Sequence, residues 1–348
     1  MKKILIYHIG QLGDTLVTIP AIDAIKLKHQ NCSITLLTDK HSEKKYVNSW
    51  EVLKLTSNID KVVFYDPSQI FKLHYLIKLI KRLRDIRPSY VYNIVLRANI
   101  KNKWRDYLFF KFLFTFSKYS ALDIVQYPIN KSKGLKIMPP QWQRILEQVG
   151  SSEQIKKIQL GSDKDSLIGL EKKLAGYNFS SSKRRFIIGP SSKMPSKCWD
   201  SKSFVELGFK LIEEFNTPDL LILGGLEDRN LANDLLSEWG MNDNNFCGEL
   251  SLGESAELIR QSDIYIGNDS GIMHLSAMVG TPCVSIFSGR DYPGLWEPFG
   301  SNNISIRKDI NCSGCMLSEC LQNKNACLNL IAVNEVFSAV IKILSIDD

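Results

Sequence analysis

No stretch of this 348-residue chain approaches the ~20 consecutive apolar residues that a bilayer-spanning helix requires. The amino-terminal run is not expected to be a secretory leader. Met1-Lys2-Lys3 leads into Ile4-Leu5-Ile6-Tyr7, a strand-length run that ends in a glycine-containing loop, with no longer apolar core and no small-residue cleavage site. The expectation is therefore a cytoplasmic protein whose first apolar run is a buried strand. A complete G-x-G-x-x-G is missing from the loop after that run, which argues against a dinucleotide fingerprint. No helix-turn-helix or aromatic-basic sheet face is evident either, so nucleic acid is not an expected partner. Composition does not suggest disorder: hydrophobic residues make up 44%, in short runs throughout, enough for ordinary cores.

The length suits about two domains, and the pattern of runs agrees. Strand-like segments at Lys3–Ile9, Ser33–Thr38, Val62–Tyr65 and Tyr90–Leu96 alternate with helix-like segments at Thr15–Lys28, His41–Trp50 and Ile70–Ile86, the last stopped by Pro88. The pattern lapses over residues 150–162, read as a linker. A helix over Asp165–Ala175 precedes a second alternating series. Its strands are Arg185–Gly189, Asp219–Leu223, Ile264–Ile266 and Pro282–Phe287; its helices are Lys202–Phe215, Asp228–Trp239, Gly271–Val279 and Val333–Ile346. Near-continuous apolar strands alternating with helices predict parallel sheets covered on both faces. The expected architecture is α/β, with two Rossmann-like domains facing across a cleft: 1–155, 156–332, and a C-terminal helix over 333–348 returning toward the first domain. Ligands in such sheets sit outside the carboxyl ends of the strands, so the strand-end loops are where chemistry is expected.

Four loops stand out. Gly10-Gln11-Leu12-Gly13-Asp14-Thr15 turns the chain from a strand into a helix, with two glycines to ease the turn. Asp14 fits either a helix cap or a general base projecting into the cleft. Gly189-Pro190-Ser191-Ser192 runs on to Lys197 and Trp199; the serines can donate to a phosphate and Lys197 can set a point charge on it, though a plain Ser/Pro loop with a solvent-facing lysine fits as well. Gly267-Asn268-Asp269-Ser270-Gly271 opens a helix whose N-terminal N–H groups suit a diphosphate, with His274 on the same face as Ser270. Leu223-Gly224-Gly225 ends a strand, after which Glu227 could accept ribose hydroxyls or simply begin a helix.

Taken together, these residues resemble glycosyltransferase family 9, the ADP-heptose–lipopolysaccharide heptosyltransferases. The resemblance rests on Gly10-Gln11-Leu12-Gly13-Asp14-Thr15-Leu16 with Thr18-Ile19-Pro20-Ala21, on Ser191, Ser192, Lys197 and Trp199, and on Asp269, Ser270, Gly271 and His274, and it covers nearly the whole chain. It departs at Asp200, where the family pattern often has proline after K-x-W. The resemblance implies a GT-B fold and an inverting, metal-independent transfer from a nucleotide sugar, ADP-heptose, to lipopolysaccharide or another surface glycan. Asp14 would be the general base. Lys197, Ser191, Ser192 and the amides near Ser270 and Gly271 would hold the departing diphosphate, Asp269 would order its loop, His274 would orient the diphosphate, and Glu227 would meet the ribose. Another GT-B sugar-nucleotide enzyme, with a different donor, a protein acceptor or an epimerase chemistry, stays open beside this reading. So does a non-enzymatic binding module built on basic charge.

Net charge is +7. Much of it gathers in Lys72, Lys78, Lys81, Arg82, Arg84, Arg87, Arg97, Lys101, Lys103, Arg105, Lys111 and Lys118, around an aromatic run from Trp104 to Phe116. Solvated helix faces would explain the charge. The aromatics point further, to an anionic or lipid-linked acceptor and to peripheral contact with the inner face of the inner membrane. No cofactor is expected for catalysis. Of the eight cysteines, four cluster as Cys312, Cys315, Cys320 and Cys327, resembling a cluster seen in family members. Structural zinc or iron, free thiols and disulfides all remain open there.

Overall fold

The structure is a computed structural model. It describes residues 1–40, 47–56, 58–96, 99–123, 135–150, 160–177, 179, 183–241, 243–321 and 323–345. Arg97, most of the expected linker and the start of the expected helix over His41–Trp50 lie outside the described residues. The chain groups into two compact units, one from Met1–Ile129 with Gln141–Gly161, the other from Asn130–Pro140 with Ser162–Asp348.

The first unit runs β1 (Lys2–Tyr7), α1 (Leu12–Leu16), α2 (Ile19–Lys28), β2 (Cys32–Asp39), α3 (Ser49–Leu53), β3 (Lys61–Tyr65), α4 (Leu73–Arg84), β4 (Tyr90–Asn93), α5 (Ile100–Leu113), β5 (Lys118–Ala121) and α6 (Gln141–Gln148). All strand pairs are parallel, in the order β3-β2-β1-β4-β5. Ile4, Leu5 and Ile6 of β1 are fully buried, as expected of a central strand covered on both faces. The single helix expected over Thr15–Lys28 is two. Pro20 lacks the N–H that a continuous helix would need there, so it sits in the first turn of α2, and the Thr18 hydroxyl donates to the Thr15 carbonyl across the break (2.7 Å). α4 buries Leu79 and Leu83 and carries Lys81, Arg82 and Arg84 in its last turn, where cations favour the helix dipole.

The second unit runs α7 (Lys164–Leu174), β6 (Arg185–Gly189), α8 (Ser201–Glu214), β7 (Asp219–Ile222), α9 (Arg229–Glu238), α10 (Leu252–Arg260), β8 (Ile264–Asn268), α11 (Gly271–Val279), β9 (Cys283–Phe287), β10 (Asn303–Arg307), α12 (Ala326–Asn329) and α13 (Val333–Leu344). Its sheet is again parallel, ordered β10-β9-β8-β6-β7. α10 begins with a capping box: the Ser251 hydroxyl accepts from Glu254 N–H (3.2 Å), and the Glu254 carboxylate accepts from Ser251 N–H (2.6 Å). α11 ends at Gly280, whose φ of 93° is the left-handed conformation of a helix C-terminus. α13 buries Val336, Val340 and Ile343 in the core of this same unit, against residues of α8 and the sheet. Residues 135–140 also belong here, with Met138 N–H donating to the Pro293 carbonyl (2.8 Å).

Each strand order reverses once: between β1 and β4 in the first sheet, and between β6 and β8 in the second. In open parallel sheets the helices leave opposite faces on either side of such a reversal. A crevice opens at the strands' carboxyl ends, and ligands bind there. Among the described residues no helix is long and apolar enough to cross a membrane.

Candidate functional site

In the first unit the loop after β1 contains Gly10, Gly13 and Asp14. A Cβ on Gly10 would lie 2.7 Å from Asp14 Cβ and 3.2 Å from His8 Nε2, so the close return of the chain requires glycine. The N-cap of α1 is Gln11 rather than Asp14; Asp14 stands in the first turn, half-exposed, and its carboxylate accepts from Gln11 N–H (3.2 Å). Gly13 lies in the same turn, its carbonyl accepting from Val17 N–H (3.2 Å). Beneath the loop sits His8, fully buried. Its Nδ1 lies 3.2 Å from the Ile94 carbonyl, which can only accept, so this nitrogen carries the proton; Nε2 lies 3.2 Å from the Thr15 hydroxyl. Burial lowers the His8 pKa to about 4, although the Ile94 hydrogen bond works the other way. His8 is thus a neutral polar floor that ties the end of β1 to the segment after β4. The sequence offered only its place at the strand end as a hint.

In the second unit the reversal point brings together the loop after β6 and the loop after β8. Asn268, fully buried, clamps them: its Nδ2 donates to the Pro190 carbonyl (2.7 Å) and its Oδ1 accepts from Trp199 N–H (3.0 Å). The Ser192 hydroxyl donates to the Asp269 carbonyl (3.1 Å), with Ser191 half-buried beside it. Tyr265 fills the space under both loops. Its hydroxyl donates to the Asn268 carbonyl (2.9 Å) and lies 3.3 Å from the Ser270 hydroxyl. Gly189 and Gly267 make room for it, since a Cβ on either would collide with the Tyr265 hydroxyl. Ser270 caps α11, and Gly271 and Ile272 begin it, so their N–H groups belong to the first turn, which has no intrahelical acceptors.

Lys197 occupies a one-turn 3₁₀ helix, Pro195–Lys197, and is buried rather than facing solvent. Its ammonium donates to Asp269 Oδ2 at 2.6 Å, lies 3.3 Å from Asp291 Oδ2, and stands 5.9 Å from the centre of the Trp296 ring. Asp291 in turn accepts from Arg290 Nη1 (2.7 Å). Burial alone would depress the Lys197 pKa, but Asp269 and Asp291 outweigh it and hold the ammonium above the ordinary lysine value. Burial pushes the Asp269 carboxyl upward, against the pull of Lys197. His274, on α11, is buried with its ring centroid 6.1 Å from that of Trp296; burial, reinforced by the nearby Lys197 charge, lowers its pKa to about 3. It is therefore a neutral imidazole with one N–H to donate.

The structure thus joins Ser192, Lys197, Asp269 and Ser270, with His274 close by. Glu227 is not part of that group: it stands exposed in the turn Leu226–Asp228 after β7, one strand away from the reversal point. Arg290, Asp291 and Trp296 were not foreseen, although Gly289-Arg290-Asp291 follows the end of β9 just as the other loops follow their strands.

Cys312, Cys315, Cys320 and Cys327 all line one narrow cavity, together with Ser196, Gly289 and Arg290. They are free thiols, as are the other four cysteines. Among the described residues no group of three or more His, Cys, Asp or Glu side chains is arranged to hold a metal ion, so the zinc-or-iron alternative finds no assembled site. Two of the sulfurs are engaged as acceptors instead, Cys327 from Gly289 N–H (3.2 Å) and Cys312 from Asn323 Nδ2 (3.3 Å). Burial raises the Cys327 thiol pKa.

Comparison with known proteins bears on this arrangement. The family model described as glycosyltransferase family 9 (heptosyltransferase) matches residues 132–326. A lipooligosaccharide heptosyltransferase 2 of Campylobacter jejuni is 27% identical over 147 residues, 40% of this chain and 45% of that protein. A lipopolysaccharide heptosyltransferase 2 of Salmonella typhimurium is 29% identical over 144 residues, 39% of this chain and 40% of that protein. The matched part thus spans less than half the length of these two curated relatives. The solved structure of Escherichia coli ADP-heptose lps heptosyltransferase II aligns with a TM-score of 0.72 at 16% identity, covering 100% of this chain and 99% of that one, a likeness of fold.

Proposed function

The chain belongs to glycosyltransferase family 9 and has the GT-B fold, and from that premise we propose that it transfers heptose from ADP-heptose to a lipopolysaccharide-type acceptor, with inversion and without a required metal. The observation that carries this reading is the buried Lys197 ammonium, set by Asp269 and Asp291 at the reversal point of the second sheet, beside the start of α11. An ammonium has three protons; it donates to Asp269 at 2.6 Å, and Asp291 lies 3.3 Å away as an ion-pair partner. The ammonium, with the first-turn amides of α11 and the Ser191 hydroxyl, suits the oxygens of a diphosphate, while the Ser192 hydroxyl, donating to the Asp269 carbonyl, holds the loop beside them. His274, neutral, donates to the same group, and Glu227 takes the ribose. Stabilising the charge that develops on a departing diphosphate is commonly the largest single contribution to such a transfer.

Asp14 is assigned the general base. It takes the proton of the acceptor hydroxyl as that oxygen bonds to the anomeric carbon, while the bond from that carbon to the donor phosphate oxygen breaks and ADP departs. The test is Asp14→Asn, read by mass spectrometry of the product and by thermal stabilisation with ADP, UDP and GDP. The expected outcome is retained stabilisation by ADP over UDP and GDP and a ~10²–10⁴-fold loss of turnover. Near-normal transfer by the variant removes Asp14 from this role, and stabilisation by UDP or GDP alone reassigns the donor. Transfer that survives EDTA unchanged is the expected result for the metal-independent part of the reading.

For the acceptor, α4 and α5 supply the support. Ile100, Trp104, Leu108 and Phe112 recur every fourth residue along α5 and are all exposed, while Asp106, Phe110 and Leu113 on its other side are buried. Phe71, Leu73 and Ile77 are exposed at the start of α4, and Arg84 lies over the Phe112 ring at 5.8 Å. Lys72, Lys78, Lys81, Arg82, Lys101 and Arg105 are exposed on the same two helices and their flanks. An apolar stripe rimmed by cations matches an anionic membrane surface carrying a glycolipid acceptor. Replacing Trp104 and Phe112 by serine is expected to reduce recovery on vesicles containing anionic lipid without lowering the melting temperature. Unchanged recovery would remove the membrane from the reading.

A further inference from the structure

We propose that Arg290 and Asp291 are positioning residues for the donor diphosphate, holding Lys197 through a brace anchored on the segment Met316–Ser318. The inference rests on the donor-site reading of Lys197 given above and adds residues to it. Arg290 is buried and each of its three guanidinium nitrogens makes a hydrogen bond: Nη1 to Asp291 (2.7 Å), Nε to the Leu317 carbonyl (2.7 Å) and Nη2 to the Met316 carbonyl (3.0 Å). The same segment grips the Lys197 turn from its other end. Ser196 N–H donates to the Ser318 carbonyl (3.2 Å) and the Ser196 hydroxyl to the Leu317 carbonyl (2.7 Å). One stretch of main chain therefore fixes the turn that carries Lys197 and, through the planar fork of Arg290, the second carboxylate that faces it. A lysine on a four-carbon stem is otherwise a mobile point charge; two carboxylates from different strand ends hold its ammonium in place.

The electrostatics give the brace a signature of its own. The charged or titratable groups around the Lys197 ammonium are Asp269 after β8, Asp291 and Arg290 after β9, and the neutral His274 on α11. Asp291 favours the protonated lysine and Arg290 opposes it. Removing one or the other should therefore shift the titration of Lys197 in opposite senses, which a merely structural part would not do.

The experiment measures ADP affinity of the full chain by calorimetry from pH 7 to pH 10.5, with melting temperatures taken alongside. Asp291→Asn is expected to weaken ADP binding and to move its alkaline fall-off to lower pH. Arg290→Met is expected to weaken binding at pH 7 with no such downward move. Arg290→Lys keeps the charge but not the fork, and should fall between Arg290→Met and the unaltered protein. Loss in each case reaches up to ~10²-fold, the scale of a group misplaced by about an ångström. If both Asp291→Asn and Arg290→Met keep the unaltered affinity and pH profile while Lys197→Met loses ADP, the brace is refuted and the donor site stands. If Lys197→Met binds ADP normally, the donor-site reading itself has failed. Should Asp291→Asn not fold, Arg290→Lys carries the test, and unaltered ADP affinity in that variant refutes the brace.

Discussion

Lys197→Met separates what this lysine does for the fold from what it does for the ligand. The substitution keeps an unbranched stem and removes the charge. At an effective dielectric of about 20, unit charges 2.6 Å and 3.3 Å apart attract by ~6 and ~5 kcal/mol, and the desolvation of buried ions takes back much of that. Removing one member of such a group costs ~3–5 kcal/mol net, because the remaining charges stay buried without compensation. Here Asp269 and Asp291 would be left with Arg290, which bonds Asp291. At about 2–4 °C per kcal/mol for a unit of this size, melting should fall by roughly 6–20 °C. Transfer should fall by a further ~10²–10³-fold, the usual consequence of losing one donor to the developing charge.

The decisive comparison is the double variant Lys197→Met/Asp269→Asn, measured by melting and by transfer. It leaves Arg290 and Asp291 as a balanced pair, so much of the stability should return while transfer stays low. Recovery of both would show that Lys197 serves only to neutralise Asp269, and the reasoning would be wrong. A pH series adds a sign. The Lys197 pKa is raised by folding, so its contribution to stability is complete below the ordinary lysine value and is lost as pH climbs through the folded value. The unaltered protein should show an alkaline loss that Lys197→Met does not.

The two buried histidines should govern the acid side. Folding lowers His274 from 6.5 to about 3 and His8 to about 4, so the unfolded chain binds protons that the folded one does not, and stability falls as pH drops below 6.5. Each accounts for ~2 kcal/mol by pH 5, and His274→Gln and His8→Gln should each flatten the melting curve between pH 7 and pH 5; a slope unchanged in both would contradict the neutral assignment. Gly189→Ala should cost ~1–3 kcal/mol and weaken ADP binding, because the added methyl meets Tyr265, whereas Gly176→Ala, with nothing within 4 Å, should be silent in calorimetry.

Much of the second unit was legible because its elements are punctuated. In Arg185–Gly189 the apolar run Phe186–Ile188 is closed by glycine, and Gly271–Val279 begins after Ser270 and stops at Gly280; both run as the spacing predicted. The unforeseen strands β5 and β10 are sheet edges, with no fully buried run to betray them. α10 escaped notice although Ser251 and Glu254 carry the signature of its capping box. The loops bearing Lys197 and Asp269 could be found one at a time from strand ends and glycines. That Asp291 and Arg290 join them could not, because that pairing exists only once β9 lies beside β8 and the segment Met316–Ser318 folds over Arg290. A long-range charge partner leaves no local pattern, whereas a cap or a turn does.

The same topology is furnished oppositely in the two units, and this is what gives the strand ends different chemical capacities. Both place a buried histidine near the reversal point, and in both burial keeps the ring neutral. Above His8 the first unit presents a half-exposed carboxylate, Asp14, oriented by a main-chain N–H, an arrangement able to accept a proton. Beside His274 the second unit presents two cations and two carboxylates whose formal charges cancel. A net-neutral group of buried charges does not attract an anion by its sum. On the donor-site reading it would do so by geometry, through the ammonium held beside Asp269 and Asp291 and through the first-turn amides of α11. Selectivity for a diphosphate over a simple monoanion should therefore depend on spanning both the ammonium and those amides. That is why the rigidity supplied by Asn268, Tyr265 and Arg290 matters as much to this site as the charge of Lys197.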